Sequence, residues 1–152
     1  MHPCLNDRPD RRNVLRGVSL LLVAGLLAAV CGCGREFELA PAKGKVTYNG
    51  NALEFGSVVF QPEKGPPARG TIQSDGSFAL ETDGENGAIV GKHKVRVTCT
   101  ESQRPGYTPP AGEEAGVGKS LIPKKFTRAP TSGLTEEVTA GGPNEFTIDL
   151  KD

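Results

Sequence analysis

The sequence has no excess of one charge, because 18 Lys and Arg residues stand against 18 Asp and Glu residues. Proteins that bind nucleic acids cluster Lys and Arg where they can release the counterions of the phosphates. Here the two signs are interspersed, and removing the leader described below leaves 14 basic and 16 acidic residues. The charge pattern therefore argues against DNA or RNA as a partner.

Histidine is scarce, since His2 and His93 are the only two in the chain and the first lies at the amino terminus. A single histidine cannot supply a His-rich zinc site. His93 also cannot form a catalytic dyad with Cys99, because Cys99 lies six residues further along the same predicted strand, about 20 Å away. We therefore predict no catalytic residue, no metal site and no cofactor. His93 is expected to be a half-buried residue at the start of a strand.

Cysteine is nearly absent after the leader. Cys4, Cys31 and Cys33 lie in or beside the leader, so that Cys99 is the one cysteine further along the chain. On a strand Cys99 would share a side with Val95, which predicts a small buried hydrophobic residue rather than a reactive thiolate. Unless Cys99 pairs with Cys33, the fold is held by packing alone.

The longest uncharged apolar run, residues 17–30, has only fourteen residues. A transmembrane helix needs about 20, so this run, with basic residues before it, matches the apolar region of a cleaved signal helix. Residues 10–16 also resemble a twin-arginine export signal, and the general secretory route fits equally well. Both routes lead out of the cytoplasm, so we expect an exported protein of the cell envelope.

Val30, Cys31, Gly32 and Cys33 follow that run directly. They resemble the lipobox of bacterial lipoproteins, in which the cysteine after a small residue receives a lipid and becomes the new amino terminus. Cys33 follows Gly32 and fits better than Cys31, which follows the larger Val30, although two cysteines leave both open. The resemblance implies a signal peptide at residues 1–32, lipidation at Cys33 and the lipid bilayer as a partner. Two or three acyl chains, at about 0.8 kcal/mol per buried CH₂, anchor a protein stably.

No stretch of ten or more residues after the leader keeps apolar positions at helical spacing, and 20 Gly and 12 Pro residues interrupt most runs. Apolar and polar residues instead alternate in about eight short segments. After a tether at residues 33–42, we predict strands at 43–48, 57–61, 69–73, 77–82, 93–100, 121–126, 134–140 and 145–150. The expected fold class is all-β, an antiparallel β-sandwich of prealbumin or Ig-like type with seven or eight strands.

The most distinct predicted hairpin joins residues 69–73 to residues 77–82. Ser74-Asp75-Gly76 lies between them, and glycine readily takes the positive φ that such a turn requires. The side chains expected to face the core are those of Ile72, Phe78 and Leu80.

Three other segments offer candidate polar sites. Residues 101–119 are rich in Gly and Pro without alternation, which predicts a mobile surface loop with Tyr107 as its one aromatic side chain. Residues 83–86, Asp-Gly-Glu-Asn, lack the alternating ligands of a calcium loop and are predicted to form a turn. Glu136 and Glu137 are expected to be a solvated surface pair.

Six segments and the lipobox together match one known group. They are residues 44–50, 58–62, 75–80, 91–97, 122–126 and 131–135. They resemble bacterial lipoproteins that carry a carboxypeptidase regulatory-like, transthyretin-like domain. The resemblance implies such a sandwich over residues 43–152 and an envelope location, and it implies no established activity.

The sequence therefore predicts a non-catalytic, membrane-anchored structural or interaction module of the envelope, whose partner is a protein or a glycan. The alternative is a carbohydrate- or peptide-binding accessory domain that serves a partner enzyme. A discrete protein partner would favour the first function, and retention on a glycan would favour the second.

Overall fold

In the computed structural model the structure describes residues 37–109, 116 and 118–152. The predicted signal peptide and the lipidation site Cys33 lie outside these residues, as does part of the predicted loop. The chain divides into two units, and the second, Glu36–Asp152, contains everything described below. Among the described residues, no helix has the length and apolar character needed to cross a membrane.

The regular secondary structure of the described residues is almost entirely β-strand, which confirms the all-β class. Helix is limited, within those residues, to two 3₁₀ helices, Glu101–Gln103 and Lys124–Thr127. The strands are β1 Leu39–Ala40, β2 Ala42–Tyr48, β3 Asn51–Ala52, β4 Ser57–Pro62, β5 Ala68–Thr71, β6 Ser77–Ala79, β7 Glu81–Thr82, β8 Glu85–Asn86, β9 Ala88–Ile89, β10 Gly91–Thr98, β11 Leu134–Val138 and β12 Asn144–Leu150.

These strands form a sheet of six strands, a smaller sheet of four strands and one separate pair. The larger sheet has the order β11-β10-β4-β5-β7-β8, and the smaller sheet has the order β12-β2-β3, with β6 also paired to β2. The remaining pair is β1 with β9. The pairing is antiparallel except between β2 and β12, which run parallel. The prediction of antiparallel pairing is wrong for that one pair, because alternation along a strand does not encode the direction of its neighbour.

The core is built from the alternating apolar residues of both sheets. On β10 the side chains of Val95 and Val97 are 0% exposed. The Phe60 ring on β4 lies 6.2 Å from the Phe78 ring on β6 and 5.2 Å from the Phe146 ring on β12, measured between centroids. Because β4 belongs to the larger sheet and the other two strands to the smaller, these rings join the apolar faces of the two sheets.

The predicted hairpin at residues 69–82 is only partly correct. Its turn is present, since the Gln73 N–H donates to the Ser77 carbonyl at 2.8 Å and Gly76 has a φ of 80°. However, β6 pairs with β2 while β7 pairs with β5, so the chain crosses from the smaller sheet to the larger one within this segment. Each predicted core residue is nevertheless buried, namely Ile72, Phe78 and Leu80.

Residues 121–126 do not form the predicted strand. Pro123 has no N–H for a ladder, and its φ of −53° suits the start of a helical turn, which follows as Lys124–Thr127. Phe126 within that turn is 5% exposed, so its apolar side chain is buried as a strand residue would be, but from a turn.

The amino-terminal side of the domain begins earlier than predicted. Residues 37–42 were expected to belong to a tether, yet Leu39–Ala40 forms β1 and Ala42 begins β2. Ala40 and Ala42 are buried. The apolar side chains of this segment are short and lie among Pro and Glu residues, so they alternate little with polar residues. The sequence therefore does not indicate these strands.

Candidate ligand-binding surface

His93 lies inside the core, which corrects the prediction of a half-buried residue. It is the third residue of β10, is flanked by β4 and β11, and is 1% exposed. Its Nε2 lies 2.6 Å from the Ile89 carbonyl, and because a carbonyl only accepts, this nitrogen carries the proton. Its Nδ1 is buried and, among the described residues, has no hydrogen-bond partner. The ring packs 5.8 Å from that of Phe60, away from any substrate in solution.

Cys99 is buried beside the strand valines, as predicted. It is 1% exposed, and burial raises the pKa of its thiol, while the charge of Arg104 acts in the opposite direction. A thiol held protonated in this way is a poor nucleophile. Cys99 is therefore a packing residue of the core.

Glu136 and Glu137 occupy different environments, so the prediction of a solvated pair is wrong for Glu136. Glu136 lies opposite His93 in the β10–β11 ladder and therefore faces the same side of the sheet. It is partly buried, and desolvation raises the pKa of its carboxyl group. Glu137 is exposed. An inward-facing charge on an outer strand hinders pairing with another chain.

The other candidate positions lie at turns. Asp83 and Gly84 have φ values of 50° and 83° and join β7 to β8 in a two-residue hairpin, as their sequence predicts. Tyr107 is partly exposed, and its N–H donates to the Arg104 carbonyl at 3.1 Å.

One cleft, here called the outer cleft, lies on the solvent face of the larger sheet and has a volume of 690 Å³. Across its floor Arg96, Val59 and Arg69 lie opposite one another on β10, β4 and β5, and Glu81 on β7 faces Arg69. Val59 is only 6% exposed, which indicates that the arginine stems on either side cover it. With Asp83 in its wall as well, the outer cleft contains two cations and two carboxylates.

A second cleft, here called the distal cleft, has a volume of 830 Å³ and a different lining. Lys124, Lys125 and Arg128 supply its cations, and no Asp or Glu belongs to its described lining. The remaining polar lining consists of hydroxyl side chains, those of Thr98, Thr100, Ser120, Thr127 and Thr131.

The distal cleft is built from turns that hydrogen bonds fix to β10. The Ser132 hydroxyl donates to the Val95 carbonyl at 2.5 Å and accepts from the Leu134 N–H at 3.2 Å. The Ser132 N–H in turn donates to the Arg128 carbonyl at 3.0 Å. Together with the buried ring of Phe126, these bonds hold the basic side chains beside Thr98 and Thr100.

Three hydroxyls of the distal cleft region donate to local carbonyls. Thr127 Oγ1 donates to Lys124, Thr131 Oγ1 to Lys125, and Ser120 Oγ to Ile122, each at 2.8 Å. Because each hydroxyl has one proton, these oxygens retain only acceptor capacity for a ligand.

Phe37, the first described residue, and the distal cleft lie near opposite ends of β10. Phe37 lines a surface hollow with Ile89 and Lys92, at the first residues of β10. Thr98 at the last residue of β10 lines the distal cleft. The intervening length of β10 is about 23 Å at the rise of a strand. The distal cleft therefore lies at the end of the domain opposite Phe37.

Comparison of the chain with protein-family models, with curated proteins and with solved structures finds no match. Sequence reasoning missed the distal cleft, although a signal was present: residues 115–135 contain Lys119, Lys124, Lys125 and Arg128 and no Asp or Glu.

Proposed function

We propose that the protein is an exported lipoprotein, held to a membrane by acylated Cys33, whose folded part is a non-catalytic interaction module of the cell envelope. The observation that carries this proposal is the sequence Val30-Cys31-Gly32-Cys33 directly after a fourteen-residue apolar run. Three residues separate Cys33 from Phe37, so the four Cα–Cα steps between them span at most about 14 Å. Acylation would thus hold a whole domain close to the bilayer.

The proposed type of domain is a β-sandwich of the carboxypeptidase regulatory-like, transthyretin-like kind. Contacts of Phe60 with Phe78 and Phe146, which join the apolar faces of the two larger sheets, support a sandwich. The passage of residues 77–82 from one sheet to the other supports it as well, because sandwiches connect their sheets by such crossings.

Binding rather than catalysis is favoured by where the polar groups lie. His93 and Cys99 are buried in the core, whereas Lys124, Lys125 and Arg128 are exposed in an open cleft. Groups that make and break bonds must reach the substrate, and in the distal cleft the reachable groups are cations and hydroxyl oxygens.

The lipid anchor is tested by labelling cells with an alkyne analogue of palmitate and by mass spectrometry of the extracted amino-terminal peptide. Cys33→Ala should abolish the label and leave the leader uncleaved, whereas Cys31→Ala and the control Cys99→Ala should retain both processing and label. Loss of label in Cys31→Ala alone would move the modification to Cys31. An unlabelled wild-type chain that still begins with Met1 would contradict the anchor altogether.

A second candidate function, the carbohydrate-binding accessory module, is favoured by a specific observation. The distal cleft combines unbalanced cations with hydroxyl oxygens that can only accept hydrogen bonds. This combination limits the ligands that fit.

A further inference from the structure

We propose that the distal cleft binds an acidic glycan, that is, a chain of sugars that carry carboxylate groups. The proposal specifies the ligand of the carbohydrate-binding function above and rests on that function, but it does not depend on acylation of Cys33. It is carried by the charge, the hydrogen-bonding capacity and the position of the cleft.

The positive charge of the distal cleft favours an anionic ligand. Lys124, Lys125 and Arg128 are exposed, and none of them lies within 4.0 Å of a carboxylate oxygen among the described residues. An anion about 4 Å from one such cation gains about 1 kcal/mol in water, and Arg128 can also hold a carboxylate through two parallel hydrogen bonds. Three cations in one cleft therefore favour a ligand with more than one negative group.

The hydroxyl oxygens of the distal cleft favour a ligand that also has hydrogen-bond donors. Thr127, Thr131 and Ser120 direct their protons to backbone carbonyls, so the ligand must bring the protons for any hydrogen bond to these oxygens. Inorganic phosphate brings few protons at neutral pH. An extended acidic peptide brings one N–H per residue, and alternate N–H groups point away from the cleft. Each sugar ring brings several hydroxyl donors, which makes an acidic glycan the best fit.

The size and position of the cleft agree with this ligand. A volume of 830 Å³ lies within the range of about 300–1,000 Å³ typical of small-ligand sites, with room for more than one sugar ring. The cleft also lies about 23 Å along β10 from the end of the domain that contains Phe37. That distance exceeds the screening length of about 8 Å at physiological salt, so charges near Phe37 would act on the cleft only weakly.

The proposal is tested with the full-length protein in nanodiscs of phosphatidylcholine, which has no net charge. Isothermal titration calorimetry would measure binding of a hexamer of galacturonic acid, of its fully methyl-esterified form, of hexaglutamate and of inorganic phosphate. We expect the acidic hexasaccharide to bind at least about tenfold more tightly than each of the other three. Hexaglutamate binding as tightly would assign the cleft to an acidic protein segment and overturn the proposal, as would the absence of saccharide binding at millimolar concentration.

Two variants with equal loss of charge locate the site. Lys124→Gln combined with Lys125→Gln and Arg128→Gln should weaken saccharide binding by at least about tenfold, because all three cations of the cleft are lost. The matched control, Lys64→Gln with Lys92→Gln and Lys94→Gln, removes exposed cations elsewhere and should change it by less than about twofold. Thermal melting checks that both variants fold. Equal losses in both would show general charge attraction and contradict the assignment.

One further titration separates this proposal from the lipid anchor. Cys33→Ser protein, purified without lipid, should bind the acidic hexasaccharide with an unchanged affinity. If binding fails in the wild type while labelling of Cys33 succeeds, the glycan proposal is wrong and the anchor stands. If the wild-type chain is never labelled but still binds the saccharide, the lipid anchor is wrong and the glycan proposal stands.

Discussion

The outer and distal clefts are similar in volume, at 690 and 830 Å³, and differ in charge. In the outer cleft Arg69 and Arg96 share the surface with Glu81 and Asp83, whereas the described lining of the distal cleft contains cations without carboxylates. An approaching anion therefore meets two carboxylates in the lining of the outer cleft, whereas the described lining of the distal cleft only attracts it and Asp152, beside Lys125, offsets part of that attraction. The comparison teaches that charge composition, rather than volume, distinguishes a candidate anion site on this domain.

The two clefts also differ in how the chain builds them. The outer cleft displays side chains from regular ladder positions on β10, β4 and β5. The distal cleft depends on turns that are fixed by the Phe126 ring and by the Ser132 hydroxyl. A change in a few buried side chains should therefore abolish the distal cleft without altering the outer one.

The largest expected effect is that of Phe126→Ala. Loss of a buried phenyl ring should lower the free energy of unfolding by about 3 kcal/mol. It also removes the ring that lies 4.9 Å from the Lys125 Nζ, so binding of the acidic hexasaccharide should be lost with it. Urea denaturation and calorimetry would measure both.

Val59→Ala in the outer cleft is the matched control for Phe126→Ala. It should cost about 1.5 kcal/mol of stability, from two lost methyl groups, and leave saccharide binding intact. Normal saccharide binding in a folded Phe126→Ala protein would show that the ring does not support the distal cleft.

A smaller effect is expected when the outer cleft is given the charge of the distal one. Glu81→Gln with Asp83→Asn leaves Arg69 and Arg96 without neighbouring carboxylates, and Asn tolerates the φ of 50° at position 83. Calorimetry should then detect a second bound hexasaccharide per chain, with an affinity within about tenfold of the first.

The control for this gain is Glu54→Gln with Glu63→Gln, which removes two exposed carboxylates that do not belong to the outer cleft lining. It should leave one bound hexasaccharide per chain. If the charge change in the outer cleft also leaves one, then charge composition alone does not make a site, and the hydroxyl oxygens of the distal cleft are required as well.

The smallest effect is expected at Asp152, next to the distal cleft. Hydrogen bonds from Tyr48 at 2.6 Å and from Asn49 at 2.9 Å, together with the charge of Lys125, lower the pKa of its carboxyl group from the usual 3.8. The group thus stays ionised from pH 5 to pH 8 and partly offsets Lys125. Asp152→Asn should tighten saccharide binding by at most about twofold, equally across that pH range. Weaker binding in this variant, with Asp75→Asn as the control, would mean that Asp152 positions the site.

The all-β class and the core could be predicted because alternation is a local property. The spacing predicts that Ile72, Phe78, Leu80 and Cys99 belong to the core, and each is buried. Alternation does not indicate which strand pairs with which. The same pattern allowed residues 77–82 to lie in one sheet, whereas β6 and β7 divide between two.

The candidate site was predicted less well, because it arises from contacts between distant segments. Thr98 and Lys124 line one cleft only because Ser132 fixes the later turn to β10. His93 was assigned a half-buried position because a histidine near the start of a strand usually reaches solvent. The structure buries it because β4 and β11 both pair with β10 at this residue.

The parallel pairing of β2 with β12 has a mechanical consequence. β2 runs from Ala42, close to the amino-terminal side of the domain, to Tyr48, beside Asp152 and the distal cleft. If the domain is pulled at Ala42 and at Leu150, the tension acts along this ladder and strains its hydrogen bonds together, whereas a hairpin pulled open from one end breaks them one at a time. The β2–β12 pair should therefore resist a force applied at these two residues more strongly than a hairpin of the same length.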